Sequence, residues 1–160
     1  MRRLGPSALA AAAVALALAV PAHPTPPKSE SFTATSLDSM SCAGFDAIIE
    51  RTFTGRETVY FDRQNNAVRV QVVADMRGRV TNSTTGKTVA LRGHIVLVID
   101  SSSGSFTFVG PVFMANDPGA GTVITDTGRI VFDDDGNITL EAGPHDVTKT
   151  NGAVFCSAVS

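Results

Sequence analysis

Tryptophan is absent, tyrosine occurs once, and charged residues make up only 18% of the chain, with 13 Lys and Arg against 15 Asp and Glu. Without an excess of basic side chains, the electrostatic footprint of a nucleic-acid binder is missing. Cysteine is also scarce. Cys42 and Cys156 are the only two, and no Cys-x-x-Cys pair exists to hold a metal or carry redox chemistry. No apolar run approaches the roughly 20 residues that a membrane-crossing helix needs. What remains is a chain of 160 residues, 43% hydrophobic, of a size and composition suited to one modest domain.

The N-terminus reads as a secretory signal peptide. Met1, Arg2 and Arg3 form a basic head, residues 8–20 are an apolar run rich in alanine, and Val20-Pro21-Ala22 offers small residues for cleavage between Ala22 and His23. No cysteine follows directly for lipid attachment. The mature protein is therefore expected to be secreted, free of any membrane span and mildly acidic. The proline-rich stretch that begins at His23 favours extended, solvated chain. The predicted organisation is a signal peptide over 1–22, a Pro/Ser/Thr-rich linker with a candidate first strand over 23–40, and a β domain over 41–160.

Val, Ile, Thr and Phe recur beyond residue 31 in short runs separated by Gly, Asn, Asp and Ser, a pattern of strands and turns. Val68, Val70 and Val72 alternate with Arg69 and Gln71, so the valines share one face. Four successive hairpins are predicted: 57–62 with 67–72, 78–82 with 87–91, 94–100 with 105–113, and 129–133 with 137–141. Further strands are expected at 32–37, 45–54, 122–125 and 153–158. The 45–54 segment also carries a helix-like spacing of Phe45, Ile48, Ile49, Thr52 and Phe53, but its β-branched content favours a strand.

So many short antiparallel strands in a small domain must curl closed or split into two sheets. The sequence therefore predicts an all-β fold, a single antiparallel barrel of about eight to ten short strands, with a sandwich as the alternative. One alternate set is expected to line the interior: Val68, Val70 and Val72, Phe106 and Phe108, Ile130 and Phe132, Ile138 and Leu140.

Cys42 and Cys156 stand near opposite ends of the mature domain and are expected to bond in an oxidising compartment. Barrel closure would bring the terminal strands together. A sandwich could also bring its ends together, whereas an open sheet would hold them several strand spacings apart, beyond the roughly 7 Å Cα limit for a disulfide.

The segments Cys42-Ala43-Gly44-Phe45, Thr127-Gly128-Arg129-Ile130-Val131-Phe132-Asp133 and Gly143-Pro144-His145-Asp146, together with Cys156, resemble those of small exported actinobacterial proteins of unknown function. That resemblance implies export and a β-rich fold. It carries no activity whose residues could be transferred.

Chemistry-bearing candidates are few. Asp133, Asp134 and Asp135 beside Gly136 are a weak metal candidate, but the position where an EF-hand would place its bidentate glutamate holds Ala142. Aspartates also suit a hairpin turn by accepting hydrogen bonds from nearby amides. His145 and Asp146 could form a general-base pair, although neighbours in extended chain point to opposite faces. His94 opens an apolar strand. No serine lies in a Gly-x-Ser-x-Gly elbow, and the sequons at Asn82 and Asn137 are read as chance matches.

No catalytic residue or cofactor is therefore assigned. The expected function is that of an exported, non-catalytic binding module for a small apolar ligand or an envelope partner. An exported isomerase-like enzyme with a pocket-based mechanism is the alternative, and a purely structural surface protein with a filled interior is a third reading.

Overall fold

The computed structural model describes residues 25–160. The predicted signal peptide over 1–22 and the cleavage point between Ala22 and His23 lie outside the described residues. Seven antiparallel strands form one sheet whose spatial order equals the chain order. They are β1 (Lys28–Cys42), β2 (Phe45–Phe61), β3 (Ala67–Asn82), β4 (Thr88–Asp100), β5 (Phe106–Asp117), β6 (Gly121–Phe132) and β7 (Ile138–Ala142), followed by the short helices α1 (Asp146–Lys149) and α2 (Val154–Val159).

The all-β, antiparallel character matches the sequence pattern, but the strands are fewer and longer than expected. The segments 45–54 and 57–62 are one strand, as are 67–72 with 78–82, the two apolar runs of β4, and 122–125 with 129–133. Glycine accounts for the misreading, because it marks close backbone approach as well as turns. A methyl group at Gly55 would strike the Val73 carbonyl oxygen, and one at Gly93 would strike that of Val112. The strands thus continue through these glycines, which leave room for a neighbouring backbone. β1 runs from Lys28 to Cys42, so the candidate first strand at 32–37 is part of a longer strand that takes in 28–40 of the segment read as linker and first strand.

The sheet does not close into the expected barrel. β1 pairs with β2 and β7 with β6, and no pairing joins β1 to β7 among the described residues. The segment 153–158, expected to be a strand, is mostly helix α2. This helix folds back onto one face of the sheet, here called concave, and buries Phe155, Ala158 and Val159 among Ala47, Ile49, Met76, Val80, Val89, Leu91 and Ile124. Asn82 Nδ2 donates to the Val159 carbonyl oxygen at 3.1 Å, and Lys87 Nζ donates to that of Ser160 at 2.8 Å, fastening the last turn to the β3–β4 corner.

Cys42 and Cys156 form a disulfide with a Cα separation of 5.7 Å. The bridge exists without closure because helix α2, rather than an edge strand, carries Cys156 back to the end of β1. The disulfide therefore does not require a closed sheet, since only Cys42 sits on a strand.

The predicted interior set is largely correct. Val70 pairs with Ile99, Ile99 with Phe106 and Phe106 with Phe132, while Val72, Leu97, Phe108 and Ile130 form the next row. Both rows lie on the concave face. Val68, Ile138 and Leu140 are exceptions: Val68 is 37% exposed and Ile138 43%. A register irregularity in the β6–β7 pairing places Ile138 opposite Phe132 but Leu140 opposite Val131 on the outer face, where it is 43% exposed.

Candidate functional site

The concave face is not filled evenly. Beyond the helices, Arg51, Phe53, Ile95, Phe108, Phe113, Ile130, Phe132 and Val147 line an apolar cavity of about 330 Å³, joined by Val112, Asp126 and Thr148. Its size falls near the lower end of small-molecule sites, which run from about 300 to 1,000 Å³. Aromatic packing shapes one wall. Phe106 and Phe132 stack at 4.6 Å between centroids, and Phe108 meets both edge-on at about 6 Å. On the opposite side Phe113 meets Phe155 edge-on, so the wall rests on α2.

Arg51 lies at the β1 side of this cavity. Residues 47, 49, 51 and 53 share the concave register of β2, and Arg51 interrupts an otherwise apolar row. Its Nε donates to Ser36 Oγ at 3.1 Å, and its Nη2 pairs with the Asp38 carboxylate. The guanidinium lies 5.9 Å from the Phe53 ring centroid and 5.7 Å from that of Phe113, within cation–π range. Arg51 is not among the residues singled out from the sequence, although 45–54 reads as a strand there. Strict alternation through Ala47, Ile49, Arg51 and Phe53 was the signal that could have found it.

At the α1 side of the cavity, Asp126 is buried against His145, which is 1% exposed. His145 Nδ1 is 3.1 Å from Asp126 Oδ1, and Nε2 is 3.2 Å from the Ala142 carbonyl oxygen. Both ring nitrogens thus face acceptor oxygens. Asp126 Oδ2 accepts from the Val147 amide at 3.0 Å. His145 is therefore not an exposed base beside Asp146. Its partner is Asp126, and the pair ties the segment entering α1 to β6. The Asp146 carboxylate accepts instead from the Thr125 amide at 2.7 Å.

The other sequence candidates lie apart from this cavity. His94 meets Asp75 at 2.8 Å on the outer face, where both are exposed. Asp133 occupies a turn, its carboxylate accepting from the Asn137 amide at 2.7 Å and from Asn137 Nδ2 at 3.1 Å. The β2–β3 turn repeats the arrangement. Asp62 accepts from the Asn66 amide at 2.8 Å and from Asn66 Nδ2 at 3.0 Å, and Asn65 and Gly136 take the equivalent positive-φ position. The same bonds form at 62–66 without additional acids, so turn geometry accounts for Asp133. No group of three or more His, Cys, Asp or Glu side chains among the described residues is placed to hold a metal ion. Asn82 is buried and bonded to α2, so its sequon faces inward.

From Ile95 to Ile99, β4 is apolar on both faces, and its outer side continues across the sheet. Val73, Val96 and Val109 form one cross-strand row, and Val98, Thr107, Val131 and Leu140 form the next. No helix of the described residues is long and apolar enough to cross a membrane.

Fold and cavity together define an all-β, disulfide-stapled, single-sheet protein with a small apolar pocket between its concave face and a C-terminal helical segment. The chain matches no family model, no curated protein and no solved structure in the comparisons made.

Proposed function

We propose that this protein is an exported, non-catalytic binding module whose concave pocket holds a small apolar ligand. The apolar cavity between the Phe106, Phe108 and Phe132 cluster and Phe53 and Phe113 carries this reading, because such lining fits ligand burial better than chemistry in water. Support for export comes from the basic, apolar and small-residue order of the N-terminus and from a disulfide, which persists in oxidising compartments. The resemblance to exported actinobacterial proteins agrees with it.

The isomerase-like alternative draws less support, because the cavity lining is mainly apolar and its acid, Asp126, is held by His145 and the Val147 amide where it ties α1 to β6. An envelope partner is favoured by one observation, the outer rows that end at the exposed Val109 and Leu140. The deciding experiment is native mass spectrometry of protein recovered from culture medium. The expected result is a mature chain beginning at His23 with a co-purifying small hydrophobic molecule that Phe108→Asp abolishes. Recovery with Met1 intact would overturn cleavage between Ala22 and His23, and a ligand unaffected by Phe108→Asp would overturn the pocket assignment.

A further inference from the structure

The strand arginines Arg56, Arg69, Arg77, Arg79, Arg92 and Arg129 all fall on outer-face register positions, and Arg51 alone falls on the concave face. A guanidinium beside an apolar cavity loses hydration and must recover it through hydrogen bonds and counter-charge. Arg51 recovers part of it. Its side chain is 23% exposed, two of its three nitrogens bond Ser36 and Asp38, and Nη1 makes no hydrogen bond among the described residues. The Asp38 side chain is 51% exposed on edge strand β1, and ion pairs so open to water are weak. Asp126, the other charged residue lining the cavity, is 3% exposed and is held by His145 and the Val147 amide.

Resting on the reading of the cavity as a ligand site, we propose that Arg51 makes the pocket selective for hydrocarbon carboxylates: the hydrocarbon lies against the phenylalanines and the carboxylate meets the guanidinium. A carboxylate delivered from the cavity side would form a charge-assisted bond with less water to compete, which Asp38 on the exposed edge cannot match.

The test is displacement of a neutral fluorescent probe, N-phenyl-naphthylamine, from the purified protein by dodecanoate or by dodecanol. The lack of tryptophan keeps the protein background low. At neutral pH dodecanoate is expected to displace the probe at a concentration about tenfold lower than dodecanol. Arg51→Gln should bring the acid to the level of the alcohol, and Arg51→Lys should retain a preference. Asp38→Asn, on the solvent-exposed edge, should widen the acid's advantage by releasing Arg51, an effect that a merely structural Arg51–Asp38 pair does not produce. This variant also decides the matter if Arg51→Gln fails to fold. Failure of the native protein to take up the probe would overturn the pocket itself. Equal displacement by acid and alcohol, a preference surviving in Arg51→Gln, or a diminished preference in Asp38→Asn would overturn only the role of Arg51.

Discussion

The two ends of the sheet use the same alternation of apolar and polar residues but are finished differently. Under the helices Ala47, Val80, Ala115 and Ile124 are fully buried, and the disulfide holds α2 against the end of β1. At the far end Val70, Val72, Leu97, Ile99, Phe106, Phe108 and Phe132 occupy equivalent concave positions yet are only partly buried. Cover makes the difference: two short helices reach across one half and stop. Burial of an apolar face depends on a second layer as well as on the face itself, and the uncovered edge of that layer is where the cavity forms.

Removing the staple should have the largest effect. With a sequence separation of 114 between the cysteines, the chain-entropy model gives about 4–5 kcal/mol. The Cys42→Ala/Cys156→Ala protein is expected to unfold in urea at a midpoint lower by an amount equivalent to most of that. A shift below about 1 kcal/mol would mean that α2 is held by packing alone.

Core truncation sharpens the comparison. Ile124→Ala, in the covered half, is expected to cost about 3 kcal/mol, whereas Phe106→Ala, in the open half, should cost about 1.5 kcal/mol although it deletes more atoms. Reversal of that order in chemical denaturation would show that the open half carries more of the stability than its burial indicates.

The smallest effect concerns acid. Asp62, Asp100 and Asp133 lie in the three turns at the open end, and their carboxyls are held below the ordinary range. The leading causes are the Asn66 side chain for Asp62, the Ser102 hydroxyl for Asp100 and the Asn137 amide for Asp133. Depressed folded-state values mean that these bonds contribute above the unfolded carboxylate value of about 4 and are lost as pH falls through the folded values. Amide exchange near these turns should therefore quicken on passing from about pH 5 to pH 3, relative to the intrinsic rate and before it does so around Ile124 and Val80. Asp133→Asn should flatten the response in its own turn. Uniform loosening of both halves would count against the turn carboxylates as its source.

Much of the local structure was legible because local hydrogen bonds produce it. Asp and Asn at turn entries bond amides within a few residues, so the hairpins at 62–66, 101–105 and 133–137 stood at their sequence positions. Alternation placed Val70, Val72, Phe106, Phe108, Ile130 and Phe132 on one face. Arg51 stayed hidden because alternation gives a residue's face but not the cavity beside it, and the Asp126–His145 pair because its members stand 19 positions apart. The 153–158 segment misled because β-branched and aromatic residues favour strands in general, while here burial of Phe155 and Val159 outweighs propensity.

By itself the sequence determined the all-β character, the turn chemistry, the face that each alternating residue takes and the cysteine pair available for bonding. These follow from a period of two, from short-range hydrogen bonds and from an even thiol count. Tertiary structure decided that the strands run through their glycines, that the sheet stays open, that a helix rather than a strand brings Cys156 to Cys42, and that Arg51 stands beside a cavity. Each depends on which distant backbones approach one another, and that is settled by packing the whole chain at once rather than by any window of it.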